Sequence, residues 1–127
     1  MASIEITSDN FTSILEGNQI VFLDFWAEWC GPCRGFAPVF EAASEANPDI
    51  VFGKIDTEAQ QELATTFQIR SIPTIAVIRE GVMVFRESGA LPAQSLNQVI
   101  EGVRGLDMAE VHAEIEAQKT AQQTQQQ

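Results

Sequence analysis

The segment "IVFLDFW", residues 20 to 26, limits the folds open to this chain more than any other stretch. Every position except Asp24 is β-branched, aliphatic or aromatic, so neither face of the segment is polar. A strand of that kind must be covered on both sides, as the inner strands of parallel and mixed sheets are. The pattern then changes period. From Cys33 to Ala46 the apolar residues Phe36, Ala37, Phe40 and Ala43 recur at helical spacing, and Asn47-Pro48 closes the segment. Pro38 lies inside that helix, where it removes a hydrogen bond and is expected to produce a kink.

The same alternation runs along most of the chain. "SIEIT" alternates Ile4 and Ile6 with polar neighbours, a short half-buried strand, and Phe11, Ile14 and Leu15 mark a short helix before Gly17. "DIVFGKID" is the next strand, and "TEAQQELATTF" is a helix with Thr57-x-x-Gln60 as its capping box. "TIAVIR" and "VMVFRES" are strands joined by the hairpin signal Glu80-Gly81. "LPAQSLNQVIEGVRG" is a helix with Pro92 near its start and Gly105 after its end; Leu96, Val99, Ile100 and Val103 share one face. The order β-α-β-α-β-α-β-β-α predicts an α/β fold with a central mixed sheet flanked by helices on both faces. Residues 1–105 form that domain. Residues 106–116 add an amphipathic helix, capped by Asp107-x-x-Glu110 and carrying Met108, Val111 and Ile115 on one stripe. Residues 117–127, "AQKTAQQTQQQ", have no apolar period and read as a disordered tail.

Charge and termini narrow the function classes. A net charge of −11 over 127 residues repels nucleic acid and anionic membrane surfaces. No apolar run approaches the roughly 18 residues of a membrane span. The start, "MASIEITSDNF", lacks a basic region followed by an apolar one, so the expected compartment is the cytoplasm. Thiols there are kept reduced, which weighs against a purely structural bridge.

The two cysteines of the chain, Cys30 and Cys33, follow the central strand directly. A zinc site needs three or four protein ligands, and the single histidine, His112, lies far along the chain. An inert buried pair is disfavoured because a strand-to-helix junction such as Gly31-Pro32 is usually exposed. A redox pair has a positive argument. If the helix begins at or just after Cys30, that sulfur faces unpaired N–H groups and the positive end of the helix dipole, and both favour the thiolate. Cys33 lies one turn deeper. The geometry assigns attack to Cys30 and resolution to Cys33, with Pro32 suited to the first turn.

"DFWAEWCGPC" resembles the active-site segment of the thioredoxin family. The resemblance covers residues from about 3 to 105, through "KID", "IRSIPT" and "SGAL". It implies a thioredoxin-like fold and a redox-active Cys30–Cys33 disulfide with no bound cofactor or metal. Asp24, whose apolar neighbours argue for burial and a raised pKa, becomes by resemblance the proton acceptor for Cys33, tuned by Lys54. An X-Pro bond is usually trans; the resemblance implies instead that Ile72-Pro73 is cis and faces the cysteines. Trp29, Gly31, Pro32, Ile72, Pro73, Gly89 and Ala90 then form the docking surface for substrate. Arg34, Gly35-Phe36, Glu87 and Ser88 depart from the more familiar family pattern.

Two functions follow as expectations. The first is a cytoplasmic protein-disulfide reductase, a monomer that keeps protein thiols reduced and is recharged by a flavin-dependent thioredoxin reductase using NADPH. The second is a thioredoxin-fold binding or chaperone-like module whose C-terminal helix recruits a partner.

Overall fold

In the computed structural model, which describes residues 2–125, the apolar run at residues 20–26 is the middle strand of a five-stranded sheet. The elements are β1 (Ile4–Glu5), α1 (Phe11–Gly17), β2 (Ile20–Trp26), α2 (Gly31–Ala46), β3 (Val51–Asp56), α3 (Gln61–Thr66), β4 (Thr74–Arg79), β5 (Val82–Ser88), α4 (Ala93–Arg104) and α5 (Met108–Gln125). The strand order is β1-β3-β2-β4-β5. β2 pairs parallel with β3 and antiparallel with β4, so the sheet is mixed, as the element order predicts.

Side chains alternate across the strands, and each face acquires its own core. Phe22, Phe52, Ile75 and Val77 meet Phe36 and Phe40 of α2 and Leu96 and Ile100 of α4. On the other face Val21, Leu23, Phe25 and Ile55 meet Ile6, Leu63 of α3 and the apolar stripe of α1. Covering both faces buries every residue from Val21 to Phe25, Asp24 included. Truncating one of these phenylalanines to alanine costs about 3–5 kcal/mol. β3 approaches β1 closely at Gly53, where an added Cβ would collide with the side chain of Ile6.

Several local expectations change in the folded chain. β1 spans only Ile4–Glu5, and Ile6 is fully buried just beyond it. Thr57 and Gln60 do not form a capping box: the Thr57 hydroxyl donates to Trp26 O, and Gln60 Oε1 accepts from the Ser8 N–H. Asp56 Oδ1 instead accepts from the Glu58 and Ala59 N–H groups, and α3 starts only at Gln61. A turn-forming carboxylate one residue upstream outcompetes the threonine. α2 continues through Pro38 to Ala46. The β4–β5 turn has positive φ at both Glu80 (52°) and Gly81 (78°), the type I′ arrangement that matches strand twist.

The C-terminal segment also differs. Asp107 Oδ1 accepts from the Glu110 N–H, as half of the expected capping box, but the helix runs to Gln125 rather than ending near 116. Ala, Gln, Glu and Lys are strong helix formers, so propensity extends the helix where no apolar stripe exists. Its first turns rest on the domain. Met108 is buried, and Val111 and Ile115 line a cleft with Val82, Met83 and Val84 of the edge strand β5. His112 Nε2 lies 3.1 Å from Glu80 Oε1 at the hairpin. The stripe read as a possible partner surface thus faces the chain's own sheet. Residues 126 and 127 lie outside the described residues.

Candidate active site at the junction of β2 and α2

α2 begins at the cysteine pair, so the start of a helix and the chemistry coincide. Cys30 is the N-cap residue with extended backbone (φ −85°, ψ 110°), and its Sγ accepts the Cys33 N–H at 3.2 Å. Gly31 and Pro32 form the first helical positions, where the missing proline N–H removes one unpaired donor. Cys30 and Cys33 are joined as a disulfide, with Cα atoms 5.2 Å apart. When the pair is reduced, the same N–H and the helix dipole favour a thiolate on Cys30 over one on Cys33.

Exposure does not separate the two sulfurs. Cys30 is 4% and Cys33 3% exposed, both packed with Ala27, Trp26 and Ile72. Between the two buried sulfurs, Gly31 and Pro32 are exposed, as are Glu28 and Trp29 just before Cys30. Ile72 O stands 3.7 Å from Cys30 Sγ and closes one side of the site. Trp29, 67% exposed, projects beside it and donates from Nε1 to Glu58 Oε1 at 2.7 Å.

Behind the cysteines lies Asp24. It is fully buried on the β2 face that carries Phe22 and that α2 covers, and neither carboxylate oxygen has a hydrogen-bond partner. Burial pushes its pKa from 3.8 up to about 7, with the Lys54 charge pulling it partly back. Lys54 is the register partner of Asp24 across the parallel β2–β3 ladder, so both point to the same face. Its Nζ sits 4.8 Å from the centroid of the Trp26 ring. A carboxyl group with that pKa exchanges its proton near neutrality, as a general acid or base requires.

The third part of the site is the loop before β4. The Ile72-Pro73 peptide is cis, opposite to the isomer that sequence statistics alone favour. Gly89 N–H donates to Pro73 O at 2.8 Å, which brings the Gly89 turn (φ 103°) beside the loop; Ala90 follows it, exposed. The Thr74 hydroxyl donates to Ser71 O at 2.6 Å. A cleft of about 300 Å³ opens between Trp29, Thr57, Ile69, Arg70 and Ile72. The structure therefore gathers Cys30, Cys33, Trp29, Ile72, Pro73 and Gly89 at one end of the sheet, with Asp24 and Lys54 beneath.

Glu58, Thr74 and Arg86 also support this end, and no reading of the sequence singles them out. Arg86 donates to Phe67 O and, at 2.9 Å, to Gln68 O. For Glu58 and Arg86 the residue type carries no signal, because each acts through a ring or backbone partner distant in sequence, whereas Thr74 bonds Ser71 O only three residues before it. Among the described residues no group of three or more potential metal ligands converges.

A family profile described as Thioredoxin matches residues 2–102. The chain belongs to the thioredoxin family. It is 53% identical over 118 residues to a putative thioredoxin 2 of Streptomyces coelicolor, covering 93% of this chain and 88% of the relative. It is 42% identical over 99 residues to thioredoxin C-3 of Corynebacterium nephridii, covering 77% and 68%. Among solved structures, Plasmodium falciparum thioredoxin superposes with a TM-score of 0.73 at 37% identity, covering 79% of this chain and 97% of that one. Spinach chloroplast thioredoxin f gives 0.75 at 30% identity, covering 82% and 96%. The Streptomyces alignment extends past residue 102, so that relative shares part of the C-terminal segment. Membership and the cysteine pair together make the chain a thiol-disulfide reductase, and they do not favour the binding-module reading. Thioredoxins work on disulfide-containing proteins, are recharged by a reductase, and need no cofactor of their own.

Proposed function

We propose that this chain is a cytoplasmic, monomeric electron carrier that accepts electrons from a flavin-dependent, NADPH-using thioredoxin reductase and delivers them to protein disulfides. The observation that carries the reading is the placement of Cys30 Sγ at the N-cap, 3.2 Å from the Cys33 N–H and 3.7 Å from Ile72 O. The Cys30 thiolate attacks one sulfur of the substrate disulfide; a Cys30–substrate bond forms and a substrate thiolate leaves. Cys33 then gives up its proton and attacks Cys30 Sγ, which forms the Cys30–Cys33 bond and releases the second substrate thiol. Two electrons pass to substrate, and the resulting thiolates are protonated. Asp24 is the acceptor of the Cys33 proton, and Lys54 sets how readily Asp24 takes it.

An extended substrate segment docks over Trp29, Gly31, Pro32, Ile72, Pro73, Gly89 and Ala90. The negative charge of the chain keeps nucleic acid away. Insulin reduction tests the reading, first with dithiothreitol and then with NADPH and a cognate reductase. Activity with both supports the whole scheme. Activity with dithiothreitol alone removes the reductase from it, and activity with neither removes the reductase function. Cell fractionation checks the compartment.

A further inference from the structure

α3 ends in a closed turn. Gln68 N–H donates to Thr65 O and Ile69 N–H to Ala64 O, both at 2.9 Å, with Gln68 at φ 55°. This is the Schellman arrangement, whose left-handed position glycine usually fills; here Gln68 holds it despite its Cβ. The fold-back uses the N–H groups and leaves the Phe67 and Gln68 carbonyls to find other donors. Arg86 supplies them. It faces Ala76 in the β4–β5 register, which places it on the α3 side of the sheet, and its guanidinium donates to both carbonyls. A cation at a helix C-terminus is also favoured by the helix dipole. Arg86 forms no ion pair among the described residues.

The segment that leaves this turn is Ile69 to Ile72, which lines the cleft beside Trp29 and ends with the carbonyl facing Cys30 Sγ. Its exit is tied to β5 by the Gly89–Pro73 hydrogen bond. The end of β5 and the turn after it thus hold the loop at two points, Arg86 at its entry and Gly89 at its exit. We infer that Arg86 is a positioning residue that fixes the substrate-docking loop through the carbonyls at the end of α3, setting affinity for protein disulfides without touching the sulfurs. The inference rests on the docking face proposed above.

The test compares the unaltered chain with R86A, R86K and the docking-face variant Ile72→Ser. Substrates are insulin and a small aromatic disulfide that needs no docking loop. For R86A, KM for insulin should rise about tenfold, because an ångström of misplacement in a positioning element suffices for such losses. Its kcat and the small-disulfide rate should stay within twofold. R86K, whose ammonium can donate to the same carbonyls, should recover most of the loss. Hydrogen exchange at the Ile69 amide should quicken in R86A, since that N–H closes the turn. If Ile72→Ser raises KM and R86A does not, docking stands and the Arg86 role is refuted. If neither variant moves KM, the docking face itself fails and takes the inference with it. A loss in R86A that falls equally on both substrates reports a disturbed Cys30 and refutes the inference too.

Discussion

The two ends of the sheet treat their polar groups in opposite ways. At the cysteine end, both Asp24 carboxylate oxygens and Trp26 Nε1 are buried without partners. At the hairpin end, polar groups are heavily engaged. Arg79 Nη1 donates to Val103 O at 2.6 Å, Leu106 O at 3.0 Å and Arg104 O at 3.4 Å, although its buried Nε, 4.0 Å from Glu80 Oε2, goes without a hydrogen bond. Arg104 grips Asp49 with two nitrogens and adds Asn47. An unpartnered buried carboxylate costs stability, whereas a satisfied arginine at a helix C-terminus adds it. The difference teaches that the hairpin end is built to hold the fold and the cysteine end to exchange protons and electrons.

The largest expected break of that contrast is in activity. Cys30→Ser should lower insulin reduction at least about a thousandfold, because a hydroxyl does not replace the thiolate nucleophile. Cys33→Ser should instead accumulate a substrate-linked species that is visible on non-reducing gels. No such species, with turnover retained, would reverse the two roles.

Asp24→Asn comes next, and its effect depends on pH. The folded pKa is raised, so the stability associated with the protonated form is complete below 3.8 and is lost as pH rises through about 7. The shift corresponds to roughly 4 kcal/mol. Urea denaturation at pH 9 should therefore find the variant more stable than the parent by up to that amount, and the two should converge toward pH 4. Its resolving step should also slow and lose its pH dependence near 7. An equal stability difference at pH 4 and pH 9 would contradict burial as the cause.

Arg79→Ala tests the other end. Unpairing the α4 carbonyls should lower stability by about 1–3 kcal/mol, with insulin reduction at 25 °C unchanged within twofold. A rate loss larger than that would mean the two ends are coupled. Smallest of all is Asp49→Asn. Arg104 holds the Asp49 carboxyl below its ordinary pKa, chiefly through a hydrogen bond. The pair contributes above the unfolded pKa and fades as pH falls, but it is exposed, so its removal should shift Tm only slightly and less in high salt.

Much of this was legible along the chain. The apolar run of β2, the helical spacing of α2 and the Glu80-Gly81 turn are local patterns, and local patterns survive because side-chain period follows backbone geometry. The cysteine pair was legible for the same reason: a proline in a first turn and an N-cap sulfur need only a few consecutive residues. The exceptions also have local causes. Thr57 yielded its capping role to Asp56, and α5 outran its apolar stripe on helix propensity alone.

By itself, then, the sequence determined the succession of strands and helices, the placement of Cys30 at the start of a helix, and the burial of Asp24 in a strand too apolar to leave exposed. Tertiary structure alone decided what those groups meet. Lys54 is set beside Asp24 by the β2–β3 register, Ile72 O is brought to Cys30 Sγ across 42 residues, and Arg86 reaches carbonyls 18 and 19 residues away. The physical reason is that backbone carbonyls and N–H groups are the same at every position. Which of them a side chain finds depends on how strands align and where helices end, and residue identity does not encode either contact by contact.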